Sequence, residues 1–220
     1  MVQPDAIIRS KRKTLSIGID SFGRLTVRAP LSCSDERIFA FLREKEVWIL
    51  KKQAQRQGAG ISLPPENLHG YQLLLLGKYH EILLADIKEV RFDRENSRIF
   101  LPIQKSRERI VKWLKDNAKR IFTAETERTA KAMGVRYGKI SVNSAKSHWG
   151  VCSGTNDIRY SFRLLYAPKE VIAYVIVHEL AHTKHKNHSA AFWKEVARYE
   201  PDWKEKRRWL KLHGGLMEVF

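Results

Sequence analysis

The chain has 220 residues, 43% hydrophobic and 30% charged, with 41 Lys+Arg against 24 Asp+Glu and a formal net charge of +17. This composition excludes a disordered chain, and the length suffices for a real core. The positive field draws anionic partners such as nucleic acid, nucleotides or acidic proteins without choosing among them.

Met1-Val2-Gln3-Pro4-Asp5 lacks a basic segment followed by an apolar run, so no signal peptide is expected. The longest apolar run, Val171 to Val177, is far short of the roughly 20 residues of a membrane span. Cys33 and Cys152 form no close pair, which points to reduced thiols and a cytoplasmic protein.

Residues 7–30 read as a hairpin, with Leu15, Ile17 and Ile19, a turn at Ser21-Phe22-Gly23, and Leu25, Val27 and Ala29 returning. Ser34 is placed to cap a helix carrying Ile38, Phe39, Leu42, Trp48 and Ile49, which stops near Gly58-Ala59-Gly60. Residues 71–103 alternate as two further hairpins, around Gly77-Lys78 and Arg94 to Ser97. With the first hairpin they would form one small antiparallel sheet under the Ser34 helix. His69 and His80 read as surface or strand residues, and nothing in residues 1–104 looks catalytic.

Ser106 is expected to cap a long helix ending near Met133, with Gly134 as its stop. A strand follows over Lys139 to Asn143, then a turn-rich stretch from Ser147 to Ser153. Asp157 to Leu164 alternates as a strand, Ile158, Tyr160, Phe162 and Leu164 on one face. Pro168 suits a first helical position, and Val171 to Val177, apolar all round, marks a buried helix. Asn187 is placed to end it in the left-handed conformation. Ser189 would cap Ala190 to Arg198, and a basic helix would run from Pro201 to Leu212. The expected class is α+β, with a β-rich subdomain over 1–104 (antiparallel hairpins and a helix). A second domain over 105–220 would hold a small antiparallel sheet and the buried helix.

That buried helix carries His178-Glu179-Leu180-Ala181-His182. Histidines four apart project from one helical face, so their imidazoles can grip one zinc ion, with Glu179 beside its open position as general base. The competing reading is an amphipathic helix that happens to be rich in histidine. A catalytic zinc takes three protein ligands and leaves the fourth position to water. For the third, His188, His185 and Glu195 are all available; His188 is favoured because a turn at Asn187 would swing it over the site. The spacing of His178, His182 and His188 equals that of metzincins, but His185 replaces their connecting glycine, so no metzincin identity follows.

Trp149-Gly150-Val151-Cys152-Ser153, Asn156-Asp157-Ile158, the helix motif, Asn187-His188-Ser189 and Phe192-Trp193 together resemble the YgjP-like metallopeptidase domain, related to SprT-like zinc proteases and the gluzincin-like set. The likeness is dense from about 136 to 213. It implies that residues 105–220 form a zincin-like zinc peptidase domain acting on peptide or protein, with the buried helix as its active-site helix, His178, His182 and His188 as ligands and Glu179 as base. It also offers Asp157 to Leu164 as an edge strand that aligns peptide, against the alternative of an interior strand paired on both sides. Two positions depart from the family, His148 in place of Arg and Val151 in place of Ser. Trp149 reads as packing under the site. Two other functions compete, a metal-dependent nucleotide phosphohydrolase and a non-catalytic zinc module that binds nucleic acid. Glu179 argues against the latter, since a closed structural zinc site has no use for a base.

Overall fold

The computed structural model describes residues 2–20, 22–57 and 61–220. Leu25, Val27 and Ala29 are fully buried, and that inward row makes β3 (Leu25–Pro30) the centre of the first sheet. β2 (Ser16–Ile19) pairs with it antiparallel, while β1 (Ala6–Ser10) lies parallel along its other edge. The hairpin expected over 7–30 therefore begins only at Ser16, because the most apolar strand takes the middle and the two earlier ones flank it. Ser34 caps α1 (Asp35–Glu44), its Oγ accepting the Arg37 N–H at 3.4 Å. One continuous helix was expected, but Lys45 breaks it (φ −100°, ψ 6°) and α2 (Glu46–Gln57) follows. Ile38, Leu42 and Ile49 complete a core with the β3 residues. Ser21 and the stop at Gly58-Ala59-Gly60 lie outside the described residues.

β4 (Gln72–Leu75), β5 (Lys78–Ala85), β6 (Arg91–Asp93) and β7 (Arg98–Pro102) form a separate sheet in the order β4-β5-β7-β6. Leu76 and Gly77, both at positive φ (51° and 78°), make the two-residue turn between β4 and β5. The single antiparallel sheet of the sequence reading is thus corrected to two sheets, each with a parallel pair. Fully buried Ile99 and Leu101 draw β7 to the interior beside β5, which leaves β6 at the edge.

α3 (Ser106–Met133) buries Ile110, Leu114, Ala118, Phe122, Thr126 and Ala130, one stripe at every fourth residue. Ser106 is its first helical residue rather than its cap; Lys105, left-handed at φ 54°, occupies the cap position without a side-chain bond. At the other end Gly134 (φ 62°) turns the chain, and the Gly134 and Val135 N–H groups reach the Lys131 and Ala130 carbonyls, a Schellman ending.

β8 (Ile140–Asn143), β9 (Gly150–Cys152) and β10 (Ile158–Ser161) make the third sheet, ordered β8-β10-β9. β10 is parallel to β8 and antiparallel to β9. It is interior, so the peptide-aligning edge expected at Asp157 to Leu164 is not there. The strand also ends at Ser161. Phe162–Tyr166 forms a 3-10 turn whose side chains are all buried, and period-two alternation does not apply. Arg163, 2% exposed, donates to the carbonyls of Ser144 (2.8 Å), Val219 (3.1 Å) and Phe220, which ties the chain end to this sheet. A buried hydroxyl pair, Thr126 with Tyr160 at 3.0 Å, joins α3 to β10.

The chain then forms α4 (Lys169–Ala181), α5 (Ala190–Tyr199) and α6 (Trp203–Leu212). Pro168 is the residue before α4 rather than its first. The architecture is mixed α+β. Two compact units divide it, Met1–Ser62 with Lys211–Gly215 and Leu63–Leu210 with Leu216–Phe220; the sequence reading had placed its division at 104/105. No helix of the described residues is long and apolar enough to cross a membrane.

Candidate metal centre

α4 is buried at Val171, Ile172 and Tyr174 to Val177, so its last turn stands on a rigid apolar support. The helix ends at Ala181, with His182 as its cap in helical conformation. The expected left-handed stop at Asn187 is corrected: Asn187 has no positive φ, and bonds from Thr183, Lys184 and His185 N–H groups back to Leu180 and Ala181 wind the chain off earlier. The turn that follows is pinned on both flanks. Lys184 Nζ meets Glu195 of α5 at 2.7 Å, and Lys186 Nζ donates to Ser153 O at 3.3 Å and to Asn156 Oδ1. Ser189 caps α5, its Oγ accepting from Phe192 N–H at 3.4 Å.

That path brings His178, His182 and His188 together, one ring nitrogen of each lying within 4.8 Å of the others. The Nε2 atoms of His178 and His188 are 3.1 Å apart. Tetrahedral bonds of about 2.0–2.1 Å to one ion set ligand nitrogens about 3.3 Å apart, so the group fits a metal such as zinc. His182 Nδ1 lies 2.9 Å from the His185 carbonyl, which makes Nδ1 the N–H donor and leaves the Nε2 lone pair free. His185 itself is not in the group; it contributes its backbone oxygen. Glu195, the other alternative, is engaged by Lys184.

Phe192 is the common floor. Fully buried, it sets its ring centroid 4.9, 4.5 and 4.8 Å from His178, His182 and His188. Trp193 stacks on His188 at 5.5 Å and on Trp203 at 4.1 Å, while the Arg207 guanidinium sits 5.2 Å over it. Burial holds His178 far below the ordinary imidazole range, at about 3, and the neighbouring His182, His188 and Arg207 push the same way. His182 is lowered too, again chiefly by burial. Both rings are therefore neutral near pH 7, the form that binds a metal.

Glu179, 5% exposed, packs against β9. A Cβ on Gly150 would lie 2.7 Å from its Oε1, so that strand can approach only because the residue is glycine. Burial pushes the Glu179 carboxyl up to about 8, opposed by a backbone hydrogen bond from Cys152. Among the described residues no cationic side chain forms an ion pair with it, so the buried carboxylate suits a site that receives a cation. Trp149, expected under the site, is half-buried and gives its carbonyl to Ser161 N–H at 2.9 Å.

Sequence reasoning singled out the histidines and Glu179 but gave no role to Gly150 or Phe192. A glycine inside a strand, and the Phe192/Val196 spacing that buries one face of α5, were the available signals.

Two imidazoles and a carboxylate on one buried helix, closed by a third imidazole and set beside a small sheet, define a metal-dependent hydrolase. The family model described as YgjP-like, metallopeptidase domain, matches residues 13–213, and the chain belongs to that family. Its substrate class is accordingly peptide or protein. No curated protein matches the chain. Among solved structures, the zymogen of the metallopeptidase abylysin from Pyrococcus abyssi is 26% identical, with a TM-score of 0.38 over 41% of this chain and 92% of that one. The zymogen of jannalysin from Methanocaldococcus jannaschii is 21% identical, with a TM-score of 0.37 over 40% of this chain and 92% of that one.

Proposed function

We propose that His178, His182 and His188 hold one zinc ion through their Nε2 atoms and that Glu179 is the general base of a peptidase. The convergence of three imidazoles on one point carries this reading. A zinc ion held there supplies a Lewis acid and a water acidified to about pKa 7. Glu179 would accept a proton from the attacking water as the C–O bond forms and donate it to the leaving nitrogen as the peptide C–N bond breaks. Its burial raises the carboxyl's affinity for a proton, and the Cys152 N–H keeps one of its oxygens in place.

With β10 interior, the peptide-aligning role falls to β9, an edge strand that touches Glu179 and exposes Val151. Adding an extended peptide to that edge recognises backbone and leaves sequence preference to side-chain pockets. The net charge of +17 supports contact with acidic substrates or nucleic acid, a contact that weakens as salt rises.

The test is hydrolysis of unfolded casein by zinc-loaded wild type and Glu179→Gln, with zinc content measured on both. Glu179→Gln should lose about 10²–10⁴-fold in kcat while retaining its zinc. Undiminished turnover by Glu179→Gln would refute its role as base.

A further inference from the structure

A cavity of about 610 Å³ lies away from the three histidines, between α3, the start of α4 and the β6–β7 turn. None of its lining residues belongs to the metal group. The volume is that of a small-molecule site. Its floor is apolar, from Leu75 and Leu76 beside β5 to Ile121 of α3 and Ile172 of α4, with the Phe92 ring among them.

Around that floor stand Arg94, Arg120, Arg128 and Lys169, against Glu125 and Glu170. Arg128 is engaged by Glu125 at 2.5 Å. Among the described residues the other three cations have no carboxylate partner: Arg120 donates to the amide oxygen of Asn117 (3.2 Å), Arg94 lies 5.7 Å over the Phe92 ring, and Lys169 makes no hydrogen bond or ion pair. They come from a turn and two different helices. Three cations from separate elements outnumber Glu170, the lining carboxylate that no ion pair among the described residues engages, and leave this apolar hollow net positive and suited to an anion. His80 adds a directional group. Its Nδ1 lies 2.9 Å from the Lys78 carbonyl and must be the donor, so Nε2 of this lining residue is left as an acceptor.

We propose that this cavity binds a small organic phosphate with a flat apolar body bearing an N–H donor, the chemistry of a nucleoside monophosphate. Arg94, Arg120 and Lys169 take the phosphate, Phe92 and the aliphatic floor take the body, and His80 Nε2 accepts from it. The site stands apart from the peptidase chemistry proposed above and does not depend on it.

Calorimetric titration of the zinc-loaded full chain with adenosine 5′-monophosphate, adenosine and inorganic phosphate tests this. Wild type should bind the monophosphate more tightly than either fragment. Arg120→Glu and Lys169→Glu should each weaken it by at least about tenfold, the scale of one lost charge-assisted bond. Arg43→Glu, an exposed charge reversal in the other compact unit, should leave binding within about twofold. His182→Ala should also leave it intact. Loss of binding in His182→Ala would place the phosphate on the metal centre and overturn the proposal. So would equal weakening by Arg43→Glu, or no binding by wild type. Arg94→Glu gives an independent third reading, and a melting curve for each variant separates lost binding from lost fold.

Discussion

The two ends of α4 make opposite use of one buried helix. At its C-terminal end the reactive groups are held by packed neighbours: His182 by the His185 carbonyl, His188 by Trp193, Glu179 by β9, and all three rings by Phe192. At its N-terminal end Lys169 and Glu170 are exposed, form no ion pair among the described residues, and lie beside an open cavity. The contrast separates a site built to hold atoms in a fixed geometry from one that leaves charges for a ligand to satisfy. It also says where substitutions should cost most.

Phe192→Ala should break the contrast hardest. Removing a fully buried ring typically costs about 3–5 kcal/mol, readable as a lower denaturation midpoint, and here the three imidazoles also lose their common floor. Zinc affinity should fall with it. Gly150→Ala is the finer cut. Its methyl would meet the Glu179 carboxylate, so kcat should fall by about 10–100-fold while bound zinc stays near one per chain. Normal kcat in Gly150→Ala would mean that the β9–Glu179 contact does not position the base. Lys169→Ala marks the other end and should change unfolding free energy by no more than about 0.5 kcal/mol, as for an exposed residue without partners.

How far the sequence revealed this site follows from the range of the forces involved. Helix periodicity and the His178/His182 spacing are local, and α4, the caps at Ser34 and Ser189 and the Gly134 stop appear where local chemistry puts them. Which strand lies in the middle of a sheet is decided by non-local competition for burial. Alternation in Ile158 and Tyr160 could not show that β10 sits between β8 and β9, or that Ser161 would pass into a 3-10 turn around a buried Arg163. The turn at Asn187 was inferred from residue type alone. The chain returns His188 by another route, through lysine bonds to Ser153, Asn156 and Glu195 that no local pattern encodes. Gly150 belongs to the same class, since its importance lies in what approaches it across the fold.

The most direct test of the metal centre is zinc affinity, measured by chelator competition on wild type, His185→Ala and His188→Ala. His185→Ala keeps the backbone carbonyl that orients His182, so it should bind within about twofold of wild type. His188→Ala removes a ligand and should bind at least about 100-fold more weakly. Wild-type affinity in His188→Ala, or a large loss in His185→Ala alone, would contradict the three-histidine centre.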